Sequence, residues 1–408
     1  PQVVIIGAGI AGLCASLYLT RNNINHIILE KGEIANTWIT ERWDSFHLVN
    51  PNWAIKIPEF GFGSKLFPSK NPDEFLNKRQ IIDYIQSFAS FISSKIFTHE
   101  EVLSIDRENT TYCIATSKRI IKSKIVIVAS GAFGEPYIPQ INSQLKNEIF
   151  QIHSSDYKSE EKLPSGGVLV VGAGQSGAQI AEDLLDSNRE VWLAVSKCGR
   201  RPRRYRGKDS SWWNYKMGFF DKTVDEVSFD DRWKCSAHTS GSKGGHDINL
   251  MDLADRGLKL CGSVKKCLSD KIIFNDDLFF NLNFSDKSAI NWSKEVDGFI
   301  RKNNLMMSLE KISNDKRITK RNLLSPIEIS IEKNIRNIIW STGFRYDFNW
   351  IKMKVTDEIG HPIQKRGVTK FNGFYFMGLQ WMHSSKSAQF IGVAEDAEYV
   401  VNNIISNY

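Results

Sequence analysis

A chain that builds the same phosphate-binding turn twice has few folds open to it. Residues 3–19 read VVIIGAGIAGLCASLYL and residues 168–185 read VLVVGAGQSGAQIAEDLL; each is a strand-length apolar run, a GxGxxG turn and then apolar residues at helical spacing. In Gly7-Ala-Gly9-Ile-Ala-Gly12 the first glycine permits a tight turn, the second lets backbone approach a pyrophosphate, and the third lets helix pack on strand. The helix N-terminus then offers amide N–H groups and positive partial charge to the phosphates. Gly172, Gly174 and Gly177 repeat the arrangement, with Gln175 and Ser176 opening the second helix. The chain is therefore expected to be α/β, with two Rossmann-like dinucleotide-binding domains.

The strand that follows each turn separates the two ligands. After the first, HIILE ends at Glu30, a carboxylate placed to accept from a ribose hydroxyl pair. After the second, EVWLAV ends at Ser196-Lys197, with Arg200 and Arg201 just beyond and no acid. A carboxylate there would repel a 2′-phosphate, whereas Ser, Lys and Arg bind one. The reading is FAD at the first site and NADPH, rather than NADH, at the second. Such a chain is built to pass hydride from nicotinamide to flavin.

That reading also absorbs the dense basic run CGRRPRRYRGK, residues 198–208, within a net charge of only +7. No zinc-finger, homeodomain or RNA-binding signature accompanies it, so no nucleic-acid partner is expected. With 408 residues, 24 % charged and 41 % hydrophobic, the chain suits a protein of two or three domains. Its apolar runs are too short for a transmembrane segment. Six cysteines without a CxxC pair, and no leader before the first strand, point to a cytoplasmic protein with free thiols. NIIWSTGFRYDF, from Asn337, repeats the logic of IVIVASGAFGEP, from Ile125: a buried strand, then Gly343 or Gly131 at a tight turn. On this basis the last segment returns to the first domain. The expected layout is an FAD-binding domain over 1–160 and 331–408, with an NADPH-binding domain, 161–330, inserted. Short alternating stretches from Val102 to Ile121 suggest an antiparallel meander.

What the reduced flavin reduces is bounded by the cysteines. A dithiol reductase needs two of them near the flavin; residues 31–60 contain none, and Cys261 and Cys267 would pair only by chance. Molecular oxygen and an external small acceptor such as a quinone remain. SWWNYKMGFF, 211–220, and GGHDINL, 244–250, are the candidate substrate region, with ordinary core, a pocket wall and a membrane contact all open for the aromatics.

The two GxGxxG units, the ASG and STG strand ends and ANTWITERWDSFHLVNPNW together resemble the class B flavoprotein monooxygenases, which include the flavin-containing monooxygenases and plant indole-pyruvate monooxygenases. RYRGKD, GGHDINL and GLQWMHSSKSAQFIGVAEDAEYV are most similar to a bacterial branch of flavin-dependent NAD(P)H oxidoreductases. The resemblance spans nearly the whole chain. It implies an enzyme consuming NADPH and oxygen, in which a C4a-hydroperoxyflavin oxygenates a small organic substrate at nitrogen, sulfur or a carbonyl. By the same resemblance Asn50 and Asn52 offer an amide to the flavin–oxygen adduct, and Arg42, Trp38 and Trp43 approach the isoalloxazine. Gly378, Gln380, Trp381 and His383 bring backbone N–H groups to the flavin carbonyls. The fingerprint FxGxxxHxxx(F/W/Y) survives only as His153 and Tyr157, with Asn147 and Ile149 at its Phe and Gly positions. An NADPH-dependent reductase serving a quinone, or a slow-turnover flavoprotein acting as a redox-responsive partner, therefore stays open, as does a homodimer.

Overall fold

The computed structural model describes residues 1–308 and 325–407. In chain order it runs β1 (Val3–Ile6), α1 (Ile10–Arg21), β2 (His26–Leu29), α2 (Lys78–Ile92), β3 (Ile96–Phe97) and β4 (Ile125–Val128). It continues through β5 (Phe150–His153), β6 (Val168–Val171), α3 (Gln175–Asp186), β7 (Val191–Ala194), α4 (Ser210–Lys216), β8 (Lys259–Cys261), α5 (Leu278–Lys302) and β9 (Asn337–Trp340). It closes with β10 (Phe374–Phe376) and α6 (Val393–Asn407).

Ten of these strands make two parallel sheets, ordered β10-β4-β1-β2-β3 and β8-β7-β6-β9-β5. Parallel strands covered on both faces need apolar side chains at every position, and β1, β4, β6 and β9 are buried throughout. Helix α1 is buried from Ala11 to Leu19 because it lies between its sheet and α6 and α2. Helix α6 shows the one-sided pattern of a surface helix, burying Val393, Ala397, Val400, Val401 and Ile404. Helix α2 opens on a capping box: Gln80 N–H donates to Asn77 Oδ1 at 2.9 Å and Asn77 N–H to Gln80 Oε1 at 3.0 Å. Residues Val102–Ser123 form the expected antiparallel meander.

One expectation about the layout is corrected. Strand β9, read as opening the return to the first domain, pairs in parallel with β6 and β5 in the second sheet. Strand β5, placed within 1–160, is an edge of that same sheet. The return to the first sheet comes only at β10, on β4. The likeness of IVIVASG to NIIWSTG has a different cause: each strand lies beside the glycine-turn strand of its own sheet. Its last carbonyl closes on the first glycine of the turn, Ala129 O on Gly7 and Ser341 O on Gly172. The repeat marks equivalent positions in two sheets, and position in a repeat does not tell which sheet a strand joins.

The two sheets are joined by the Trp-rich segment. Trp43 is buried in the core of the second sheet with Tyr157, Ala178 and Ile180, and Asp183 accepts from both Ser45 Oγ and Tyr157 Oη, the latter at 2.6 Å. Asp44 N–H donates to Lys158 O at 2.8 Å. Among the described residues no helix is long and apolar enough to cross a membrane.

The helix-on-strand approach admits no side chain: a Cβ on Gly177 would lie 1.9 Å from Gly172 O, and one on Gly12 would lie 2.0 Å from Gly7 O. Gly12→Ala and Gly177→Ala should each lower stability by about 1–3 kcal/mol through overpacking. Unchanged urea midpoints for both would show that helix and strand are not in contact.

Candidate dinucleotide-binding and active site

The first glycine turn divides its three positions by what stands in front of each. A Cβ on Gly7, at φ +107, would lie 2.3 Å from Ala129 O and one on Gly12 would strike the turn's own backbone, but a Cβ on Gly9 would meet nothing within 4 Å. Gly9 is the N-cap of α1 and has extended backbone, φ −80 and ψ 179, so neither strain nor packing in the chain calls for glycine there. A ligand that must come close to the backbone does. Glu30 is fastened at the rim: Oε2 accepts from Ala8 N–H at 2.8 Å and Oε1 from Gly32 N–H at 3.0 Å. The C-terminal segment arrives over the same turn, with Gly378, at φ +71, so close that a Cβ would lie 2.6 Å from Ala11 Cβ. Of the residues that follow, Gln380 presents its backbone to the buried Tyr346 hydroxyl and Trp381 has a left-handed backbone, φ 52. His383 is tied by its N–H to Ser387 Oγ at 3.1 Å and by its carbonyl to Val224 N–H at 2.9 Å.

The second turn repeats the packing, a Cβ on Gly172, at φ +100, falling 2.5 Å from Ser341 O, with Gln175 and Ser176 half-buried in the first turn of α3. Here a Cβ on Gly174 would meet Cys235 Sγ at 3.2 Å. Residues 235–239 cross the mouth of this turn: His238 Nε2 bonds Ala173 O at 2.6 Å and Gln179 Nε2 donates to Thr239 O at 2.9 Å. The Cys198 thiol donates to Ser236 O at 3.4 Å and Gly199 O at 3.6 Å and interacts with the Cys235 thiol. The Cys198 side chain and Gln175 N–H favour the Cys235 thiolate, whereas Cys235 and burial push the Cys198 thiol up. The sequence carried no signal for this pair, which is remote in the chain and meets only because residues 198–200 run beside 236–238.

The basic residues expected to act together are separated. Ser196 and Lys197 are exposed at the end of β7, with Lys197 Nζ 4.6 Å from the Phe284 ring of α5. Arg200 is corrected: it is buried and turned onto Asp286, with Nε and Nη2 at 2.9 and 2.8 Å from Oδ1. Arg201 goes a third way, toward Arg203 and Asp209.

Aromatic rings gather around Arg42 to form an enclosure. The Arg42 guanidinium stands 5.4 Å from the Trp38 ring, 5.9 Å from Phe46 and 5.4 Å from Phe133, and Phe390 closes on Trp38. Burial pulls the Arg42 pKa down and raises the neighbouring Glu41 carboxyl. Trp43 is corrected: it is core of the second sheet and meets this enclosure only through Phe46, edge-on at 5.0 Å between ring centroids. Gly131 and Gly343, at φ +108 and +85, both face open space. His153 fastens the second of these, its Nε2 donating to Gly343 O at 3.0 Å while Nδ1 accepts from Ser155 N–H at 3.2 Å; burial lowers its pKa and keeps it neutral.

The two asparagines differ in use. Asn52 is fully buried, donates to Asn71 O at 2.9 Å, and leaves Oδ1 without a partner among the described residues. Asn50 joins three segments, donating to Gln389 Oε1 at 3.0 Å and accepting from Ser211 Oγ at 3.3 Å. In α4, Trp213 is core, its Nε1 donating to Tyr205 O at 2.7 Å, while Tyr215 reaches across to Trp53 and Lys56.

Known proteins agree with this geometry. Residues 4–213, just over half of the chain, match the family model described as pyridine nucleotide-disulphide oxidoreductase. The "Uncharacterized oxidoreductase CzcO-like" of Geobacillus kaustophilus is 31% identical over 409 residues, covering 100% of this chain and 99% of the relative. The probable indole-3-pyruvate monooxygenase YUCCA8 of Arabidopsis thaliana is 30% identical over 221 residues, 51% of this chain and 50% of that protein. Among solved structures, the flavin-containing monooxygenase from Stenotrophomonas maltophilia has the same fold, with a TM-score of 0.66 at 17% identity over 99% of this chain and 98% of that one. The chain belongs to the pyridine nucleotide-disulphide oxidoreductase family.

Proposed function

We propose that the protein is an FAD-dependent, NADPH-consuming monooxygenase acting on a small organic substrate. The observation that carries the reading is the first turn, where Gly9 alone of the three glycines faces open space beside a tethered carboxylate, Glu30. Gly7, Gly9, Gly12 and the α1 N-terminus would hold the FAD pyrophosphate, and Glu30 the ribose hydroxyls. Gly172, Gly174, Gly177, Gln175 and Ser176 would hold NADPH, with Ser196 and Lys197 on its 2′-phosphate. The FAD-binding unit then comprises the chain before β5 and after β9, and the NADPH-binding unit the chain between.

FAD, when held there, would supply the redox chemistry that links NADPH to oxygen. The chain's own part is positioning and exclusion of water. Trp38, Phe46, Phe133 and Phe390 shield the region around Arg42, and Asn50, held from both sides, presents a fixed amide at the junction of three segments. The plant relative, a probable indole-3-pyruvate monooxygenase, and the Stenotrophomonas maltophilia flavin-containing monooxygenase support oxygen as the acceptor. A reductase serving a quinone is the second reading, favoured by Ile149, which is packed into core where the fingerprint has glycine.

Purified protein should carry FAD, and Gly9→Val should fold with a wild-type circular dichroism spectrum but lose it; full flavin content in that variant would reject the first site. Lys197→Ala should weaken NADPH by about 1.5–3 kcal/mol and leave NADH nearly unchanged, the cost of one charged hydrogen bond to phosphate. Equal effects on both nucleotides would reject the 2′-phosphate role. With ¹⁸O₂, a panel of amines, sulfides and ketones should yield labelled product with matching NADPH consumption. NADPH oxidation that a quinone accelerates and oxygen does not, with no labelled product, would establish the reductase instead.

A further inference from the structure

The basic run splits at Arg200. Up to that residue its side chains turn to α5, Lys197 to Phe284 and Arg200 to Asp286. Beyond it, Arg203 leans on the first unit, its guanidinium carbon 4.2 Å from the Phe75 ring. Arg203 is 2 % exposed; Nε donates to Asp209 Oδ2 at 2.7 Å, but Nη1 and Nη2 have no hydrogen-bond partner among the described residues. Arg201 lies beside it, so deep that burial first and Arg203 second bring its pKa down to about 10. Its Nε is sealed without a partner, yet the residue keeps part of its surface open. Ser210 completes the group, fully buried, its N–H on Arg203 O at 2.8 Å and its Oγ without a partner among the described residues.

Two guanidinium groups here face one carboxylate, Asp209, which is already engaged: Oδ2 on Arg203 and Oδ1 on Ser211 N–H at 2.7 Å, capping α4. Among the described residues one positive charge is left uncompensated in a sheltered place, and a buried charge without a partner is costly. A native chain keeps such a group where a ligand supplies the missing charge. The site is also linked to the junction described above, because Ser211, next to Ser210, bonds Asn50, and Asn50 bonds Gln389.

We propose that Arg201, backed by Arg203 and Ser210 Oγ, binds the carboxylate of an organic-acid substrate. A single excess positive charge matches a monoanion, and a guanidinium fork fits a carboxylate with two parallel hydrogen bonds. The site is distinct from the 2′-phosphate position at Ser196 and Lys197, which opens on the α5 side. Calling the bound acid a substrate rests on the monooxygenase reading; its binding does not.

The test is calorimetric titration of the flavin-loaded protein with acetate, phenylacetate and indole-3-acetate, each against its neutral amide, and with inorganic phosphate and NADP⁺. At least one carboxylate should bind tenfold or more tightly than its amide and than phosphate. Arg201→Met should erase that preference and Arg201→Lys restore part of it, with flavin content and NADP⁺ affinity at wild-type values in both. Carboxylates binding no better than amides, or a loss of NADP⁺ affinity in Arg201→Met with carboxylate binding intact, would overturn the proposal; the latter would make Arg201 a dinucleotide-phosphate ligand. Carboxylate binding without ¹⁸O incorporation would leave the anion site standing and remove the monooxygenase reading.

Discussion

The structure depends on how closely a helix N-terminus can approach a parallel strand. Each glycine turn is pinned on two sides, by its own backbone at Gly12 or Gly177 and by the neighbouring strand's carbonyl at Gly7 or Gly172. A methyl group at any of the four would fall well inside van der Waals contact, so the helix axis, the strand and the adjacent strand are fixed together. What remains is the middle glycine, free of such contacts in the first turn and met only by Cys235 in the second. The positive end of each helix is thereby held facing outward, toward whatever occupies the space.

From that constraint follows the placement of everything between the sheets. The segment after β2 is committed to both units: Trp43 is buried in the second core, Trp38 packs on the first, and Phe46 packs on both. Asp183 on α3 takes hydrogen bonds from Ser45 and Tyr157, so helix α3 is tied to the first unit from the side opposite its glycine turn. Asn50, Ser211 and Gln389 add a polar tie close to the aromatic enclosure. His153, the remnant of the monooxygenase fingerprint, works locally: neutral by burial, it holds the Gly343 turn in position.

The basic run shows how burial sorts one cluster of like charges into different roles. Repulsion among adjacent guanidinium groups is relieved by sending Arg200 to Asp286, Arg203 to Asp209 and Phe75, and Arg204 to the carbonyls of Gly244 and Gly245. Lys197 stays in solvent over an aromatic face. Arg201 makes no hydrogen bond or ion pair among the described residues, and burial, with Arg203 beside it, lowers its pKa. The enclosing Asp209 cannot neutralise both of its arginines at once.

Local chemistry decided what the sequence could reveal. The two glycine turns, Glu30, the exposed Ser196-Lys197 pair, the meander and the turns at Gly131 and Gly343 were all legible, because each is a short-range requirement of backbone geometry or charge written in contiguous residues. Partnership over long range was not. Nothing near Asn337 says that its strand joins β6 rather than β4, since both sheets need the same buried, fully apolar strand beside a glycine turn. Nothing near Arg200 says that it will meet Asp286, or near Trp43 that it will enter the other core. The contact of Cys198 with Cys235, and the isolation of Arg201 beside Arg203, exist only because separate segments were brought together and water was removed from between them. Desolvation sorts a run of basic letters into paired, stacked and unanswered charges, and desolvation is a property of the folded molecule.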